Sequence, residues 1–369
     1  VNNMSFVDIV RQVSDEQLMQ RLQRVTDDDV VATLHREYLD MDDFLVLVSP
    51  TARHHLEEMA QLAHQRTIQQ FGYTVQLFTP MYIANYCDNG CVYCGYSHHS
   101  HIVREKLSLE DILKEARIIK QSGLEQVLVL TGESSTYSPP SYIKSAVKAL
   151  VDIFSAVSIE VYSLSLEDYQ DLVAIGADGM TMFQETYNPV LYKRLHPFGP
   201  KSVYDVRIDT PELACRAGFR NVNIGALMGL DQWQVEAYKT ALHADYLLHK
   251  YPDVEISVSV PRIRPCAVGY SPKHPMDDVS LVQYILALRL VFPRIGITLS
   301  SRENQTMRDH LVGLGITKVS AGVSTSVGGH SKEADSDQFV ISDTRSVAEM
   351  ETMLRIQGYQ PVYKDWQVF

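Results

Sequence analysis

Three cysteines stand within eight residues, in Cys87-Asp-Asn-Gly-Cys91-Val-Tyr-Cys94. Thiolates this close together call for a soft metal ion or a cluster. A tetrahedral zinc site would need a fourth ligand, which His98, His99 or His101 could supply. The spacing argues the other way. Cys-x3-Cys-x2-Cys is not the paired Cys-x2-Cys of zinc fingers, and it leaves one iron of a cubane without a protein thiolate. An open iron can bind a substrate or cosubstrate directly.

The elements around this loop decide what it can meet. Residues up to about 71 read as helical, with Thr26 as a cap before Asp27-Asp28-Asp29 and Gly72 as the last stop. Short β-type runs then alternate with helical segments. They cover 74–77, 126–130, 157–162, 179–183, 221–227, 255–260, 295–299 and 317–321. Ser108-Leu-Glu-Asp111 resembles a capping box, and Gly123, Gly176, Gly218 and Gly315 sit at helix stops before the next strand. This alternation predicts parallel strands joined by crossover helices, and eight such units fit a (β/α)8 TIM-type barrel. An open doubly wound sheet is the rival, but no GxGxxG follows the first strand. The expected organisation is an N-terminal helical segment over 1–72, the barrel over 73–322 and a C-terminal extension over 323–369. A helix is expected near 344–357.

The cysteine loop then follows the first strand, Gly132-Glu133 the second and Glu185 the fourth. Glu160 lies near the end of the third, Arg302 follows the seventh and Ser320 ends the eighth. In a barrel that is the catalytic face.

Composition bounds the rest. With 369 residues, 45% of them hydrophobic, the chain can bury a large core. Its formal charge of −12 argues against broad binding to nucleic acid or an anionic membrane. No apolar run reaches the roughly 20 residues of a membrane span, and the first residues do not read as a secretory signal. An odd count of five cysteines, three of them clustered, fits a reducing cytoplasm rather than a disulfide framework.

The cysteine spacing, in the loop after the first strand, resembles the radical S-adenosylmethionine (SAM) superfamily. The resemblance implies a 4Fe–4S cluster held by Cys87, Cys91 and Cys94, with its open iron chelated by the amino and carboxylate groups of SAM. Thr131-Gly132-Glu133 is similar to the superfamily's Gly-Gly-Glu element, with Thr in place of the first Gly, and implies a contact with the methionyl ammonium. Glu185 and Arg207 resemble a Glu and Arg that bind the methionyl end, though a structural ion pair is an alternative role. Tyr93 and Tyr96 match aromatic positions near the adenine, where packing would serve equally well. Glu160 is a candidate for the ribose or for a buried polar network.

Further stretches resemble the aromatic amino acid lyases of that superfamily, and within them the tyrosine lyases of thiamine biosynthesis. They are 80–85, 87–96, 130–133, 184–187, 225–230, 262–266, 299–303, 319–321 and 361–366. The resemblance implies hydrogen abstraction from L-tyrosine, at its amino group, and cleavage of the Cα–Cβ bond to dehydroglycine and p-cresol. Arg302 is then the candidate for the tyrosine carboxylate, with Ser320 as a second donor and Arg262 and Arg264 ranked below. An Arg302–Glu303 salt bridge is the competing role. A reductant such as flavodoxin or ferredoxin, and a thiazole synthase partner, are implied. A hydrogenase-maturase identity would need a second cluster on a cysteine-rich C-terminal extension, and no cysteine follows Cys266. A tryptophan lyase, a deazaflavin-precursor synthase and a non-catalytic iron–sulfur carrier or sensor are the remaining alternatives.

Overall fold

The computed structural model describes residues 4–266, 268–332 and 337–364. Asp365 and Trp366 of the tail lie outside the described residues, as do 367–369. Eight strands follow one another as β1 (Thr74–Ala84), β2 (Gln126–Thr131), β3 (Ala156–Glu160), β4 (Gly179–Glu185), β5 (Asn221–Ala226), β6 (Glu255–Ser259), β7 (Gly296–Leu299) and β8 (Lys318–Ser320). Each pairs in parallel with the next, and β1 pairs with both β2 and β8, which closes the barrel. All eight runs expected from the sequence form strands. The main difference is β1, which continues seven residues past its expected end through Pro80-Met-Tyr-Ile-Ala84. A ninth strand, β9 (Gln360–Val362), was not foreseen. It lies parallel to the start of β1, with Thr74 opposite Gln360.

The alternation along the strands explains both layers. Val127, Val129, Val157, Ile159, Met180, Met182, Val222, Ile224, Ile256 and Val258 are buried under the outer helices. Their neighbours turn inward, many of them small or polar: Gln76, Ser158, Asn221, Asn223, Ser257, Ser259 and Thr298, with the larger Phe78, Leu128, Leu130 and Phe183, line a cavity of about 200 Å³. A barrel interior filled with branched apolar side chains would leave no such space. Asn223 ties this lining together, donating to the Ser259 hydroxyl at 2.8 Å and accepting from that of Ser257 at 3.1 Å.

Helix ends follow the expected residues. Thr26 and Asp29 form a reciprocal capping box on the helix Asp27–Leu34. Ser108 caps Leu109–Gln121, but Asp111 accepts from the Ser108 hydroxyl instead of completing the box. The helices before Gly176 and Gly218 stop there because both glycines are left-handed, at φ 116° and 96°. The C-terminal helix runs Val347–Ile356 with Ser346 as its cap. Among the described residues no helix is long and apolar enough to cross a membrane.

The segment before that helix lies across the ends of β7 and β8. Ser342 N–H and Asp343 N–H both donate to the Ser301 carbonyl, at 2.9 and 3.2 Å. Beneath them Arg308 and Asp343, each about 1% exposed, pair at 2.6 Å. Arg308 also donates to the Ser320 carbonyl, and Arg345 adds a second cation on Asp343. Removing one partner of such a pair strands the other charge without water. Asp343→Ala should therefore destabilise the fold by about 3–5 kcal/mol, measured as a lower denaturant midpoint. Asp343→Asn, which keeps an acceptor for Arg308, should fall between the two.

Candidate active site

The cysteine loop leaves β1 at the C-terminal end of the barrel and is clasped by the loop after β2. Gly132 N–H donates to the Ala84 carbonyl at 2.8 Å, and Asp88 N–H to the Glu133 carbonyl at 2.9 Å. A side chain at 132 would run into the Tyr86 carbonyl oxygen, so this close approach needs Gly. Cys91 is buried and Cys87 and Cys94 nearly so. Burial raises all three thiol pKa values, and for Cys94, where the neighbouring Cys87 adds to it, the value reaches about 11. Free thiolates are disfavoured in so dry a place, whereas metal-bound ones are not.

Amide donors already point at two of the sulfurs. Asn89 Nδ2 lies 3.7 Å from Cys87 Sγ, and Tyr96 N–H and Gln338 Nε2 lie 3.4 and 3.8 Å from Cys94 Sγ. Near Cys91 the compensating group is the Lys201 ammonium. Among the described residues no three Cys, His, Asp or Glu side chains converge on one ion position. A cubane does not ask for that, because it takes one thiolate on each of three separate irons. The donor set therefore fits a cluster.

Next to the loop lies a buried set of charges. Glu133 accepts from Arg207 Nη1 at 2.8 Å and from Asn89 Nδ2 at 2.9 Å. Glu185 accepts from Lys201 Nζ at 2.7 Å and lies 3.7 Å from Arg207 Nη2. Burial works to raise the Glu133 pKa, and Arg207 with Lys201 overcomes it, leaving the carboxyl below its ordinary range. Arg207 is locked in turn, its Nε donating to the Phe183 carbonyl at 2.8 Å. Glu160 projects into the cavity from the end of β3. Burial, and then the nearby Glu185 charge, push its pKa up to about 7.

Local backbone irregularity aims these groups. The β4–β5 register slips between Phe183 and Glu185, as the β1–β2 register does between Tyr82 and Ala84. Such bulges at strand ends re-aim side chains. Glu185 sits at φ 70°, the one non-glycine with positive φ among the described residues, a conformation that persists only where surroundings enforce it. The enforcing group is Glu236, a buried carboxylate on the helix Trp233–Lys250. It accepts from the Thr186 hydroxyl at 2.6 Å and from Tyr187 N–H at 2.9 Å.

On the opposite wall Arg302 is half-buried, its guanidinium 3.5 Å from the Phe339 ring centroid. Among the described residues it has no carboxylate partner. The expected competitor fails here, because Glu303 turns away and is held by Arg262, with Arg264 at 3.7 Å. Arg262 also pairs with Asp278 at 2.8 Å, and Arg264 Nε is bonded to the Arg302 carbonyl. Both lower-ranked arginines are thus engaged structurally. Ser320 Oγ accepts from Ser301 N–H at 3.0 Å, which leaves its own O–H free to donate.

The two tyrosines of the loop diverge. Tyr93 lines the cavity and donates to His196 Nε2 at 2.6 Å, while His196 Nδ1–H donates to the Tyr192 carbonyl at 2.8 Å. Tyr96 sends its hydroxyl to the Thr325 carbonyl at 2.6 Å, towards the C-terminal segment. Sequence reasoning missed Lys201, Gln338 and Phe339. Lys201 stands fourteen residues beyond the end of the Gln184–Tyr187 match without a motif of its own; Gln338 and Phe339 belong to a segment with no periodic pattern.

Glu236 gives a pH test. Burial raises its pKa from 4.5 to about 7. The stabilisation from its retained proton is complete below about pH 4.5 and is lost as pH rises through about 7. Glu236→Gln should remove that fall from the profile of melting temperature against pH, and an unchanged profile would show that Glu236 is already ionised at pH 5.

The Radical SAM superfamily profile matches residues 81–242. The Biotin and Thiamin Synthesis associated domain matches residues 259–360. The chain is 38% identical to the 2-iminoacetate synthase of Salmonella typhimurium, over 98% of this chain and 97% of that protein. It is equally, 38%, identical to the 2-iminoacetate synthase of Escherichia coli, over 99% of this chain and 97% of that one. Among solved structures, the FeFe-hydrogenase maturase HydG from Carboxydothermus hydrogenoformans superposes with a TM-score of 0.84 at 29% identity, covering 98% of this chain and 83% of that chain. With near full-length identity of this order and a cysteine site of this geometry, the chain belongs to the 2-iminoacetate synthase family of the radical SAM superfamily.

Proposed function

We infer that this protein cleaves the Cα–Cβ bond of L-tyrosine, giving 2-iminoacetate and p-cresol, and so supplies the thiazole moiety of thiamine. Its cofactors are a 4Fe–4S cluster and SAM. The observation that carries the substrate reading is Arg302, a half-buried guanidinium with no carboxylate partner among the described residues, lining the cavity that Cys94 also lines. An arginine so placed suits a carboxylate that arrives with the substrate, because its planar fork can bond both oxygens.

When bound, the cluster and SAM supply one electron and a 5′-deoxyadenosyl radical, which lets an unactivated C–C bond break. The protein's residues bind and orient. Cys87, Cys91 and Cys94 are the cluster ligands. Gly132 leaves room for backbone to approach SAM, and Glu133 accepts from its ammonium. Arg207 and Lys201 hold Glu133 ionised, pair with Glu185 and offer charge to the methionyl carboxylate. Glu160 is placed for the ribose and Tyr93 for the adenine side, while Tyr96 acts through its backbone N–H on Cys94. Arg302 and the Ser320 hydroxyl take the tyrosine carboxylate, fixing the end of the substrate that carries the amino group. Enclosure by the C-terminal segment keeps water from the reacting groups. A flavodoxin or ferredoxin delivers the electron in a reducing cytoplasm, and a thiazole synthase receives the product.

The test is anaerobic reconstitution with dithionite, SAM and tyrosine, followed by mass spectrometry. p-Cresol and 5′-deoxyadenosine should form together, and Cys91→Ala should abolish both. 5′-Deoxyadenosine without p-cresol would remove tyrosine as the substrate. Arg302→Leu should raise the tyrosine KM by roughly 10- to 100-fold, the worth of hydrogen bonds to a charged group, with SAM binding retained.

A further inference from the structure

The cysteine loop reaches the surface at one side. Val92, between two of the cysteines, is 38% exposed although its neighbour Cys91 is only 4% exposed. The helix Pro189–Leu195 and the turn after it are bonded directly to this loop. Val92 N–H donates to the Leu195 carbonyl at 3.1 Å and Gly90 N–H to the Phe198 carbonyl at 3.3 Å. The Phe198 ring covers Gly90 so closely that a side chain at 90 would collide with it. Elsewhere the loop is covered, by Gly132-Glu133 near Cys87 and by Gln338 near Cys94.

This face differs from the rest of the molecule in charge. The chain carries 45 acidic residues, yet none occurs between Asp88 and Glu105 or between Glu185 and Asp205. Those two stretches pack on each other here. They expose Lys193 and Arg194, which among the described residues are in no ion pair, beside Val190 at 66% exposure. Pro189, Val190, Lys193, Arg194 and Pro197 form a shallow groove. Apolar residues flanked by unpaired cations, next to a buried redox site, make a surface for a transient partner.

We propose that this face, centred on Val92, Val190, Lys193, Arg194 and Phe198, docks an acidic one-electron carrier protein that reduces the cluster. The inference rests on the radical SAM reading above and adds the site and charge of the donor. One electron passes from the reduced centre of the carrier to the cluster; the carrier is oxidised by one electron, the cluster is reduced by one, and no proton moves. The chain's net charge of −12 repels an acidic partner elsewhere. The basic groove then selects the orientation that brings the two centres together.

The experiment follows oxidation of reduced flavodoxin, and separately of reduced ferredoxin, by stopped-flow absorbance on mixing with cluster-loaded protein. SAM and tyrosine are absent, so the result does not depend on the lyase assignment. Lys193→Glu/Arg194→Glu should slow electron transfer from the carrier at least tenfold at low salt, and Val190→Asp should slow it as well. Reduction by dithionite should be unchanged in both variants, which shows an intact cluster. Raising the ionic strength should slow the parent protein and not the charge-reversed one. Equal rates for the parent and the charge-reversed protein at low salt would overturn the proposal, as would failure of the parent to accept electrons from either carrier.

Discussion

Glu133 and Glu185 are buried against Lys201 and Arg207, and these four charges are tolerable there only as a set. A single ion in such a place loses several kcal/mol of hydration. Glu133 recovers it from two partners on different elements, Arg207 from a helix and Asn89 from the cysteine loop. Lys201 does the same between Glu185 and the neighbourhood of Cys91. The cysteine loop is therefore held by charges as much as by its backbone. Moving any one of these elements would leave an opposite charge exposed to a low dielectric.

Strain is stored beside this set. Glu185 keeps its unfavourable backbone angle because Glu236, 51 residues later, captures the next two residues of the turn. The bulges at the ends of β1 and β4 act alike, breaking the period of two where a side chain must face the site. Regular pairing builds the barrel, and its interruption at the C-terminal rim positions the chemistry.

The strands were legible because short β-type runs alternate with helical segments, and the helix ends because glycine and hydroxyl caps mark them. The cysteine loop, Gly132, Glu133, Glu185 and Arg302 were legible because each follows a strand. β9 was not, since three residues ending in a tail carry no period. Lys201 was not, because its importance comes from partners 16 and 68 residues away, Glu185 and Glu133. The competing salt bridge for Arg302 was reasonable from adjacency. It fails because side chains of consecutive residues leave the turn in different directions, and Glu303 finds Arg262 instead. Sequence neighbours are poor evidence of contact; strand ends are good evidence of a shared rim.

The small polar residues in the barrel lining separate two jobs that most protein interiors combine. Cohesion resides in the outer layer, where Val, Ile, Leu and Met of the strands meet the helices. The small inner residues Ser158, Ser257, Ser259 and Thr298 contribute little buried hydrocarbon. Exchanging them reshapes the chamber while the adhesive layer stays untouched. Such an architecture lets descendants explore new guests by drift, with few of the lethal intermediates that repacking an oily centre would impose.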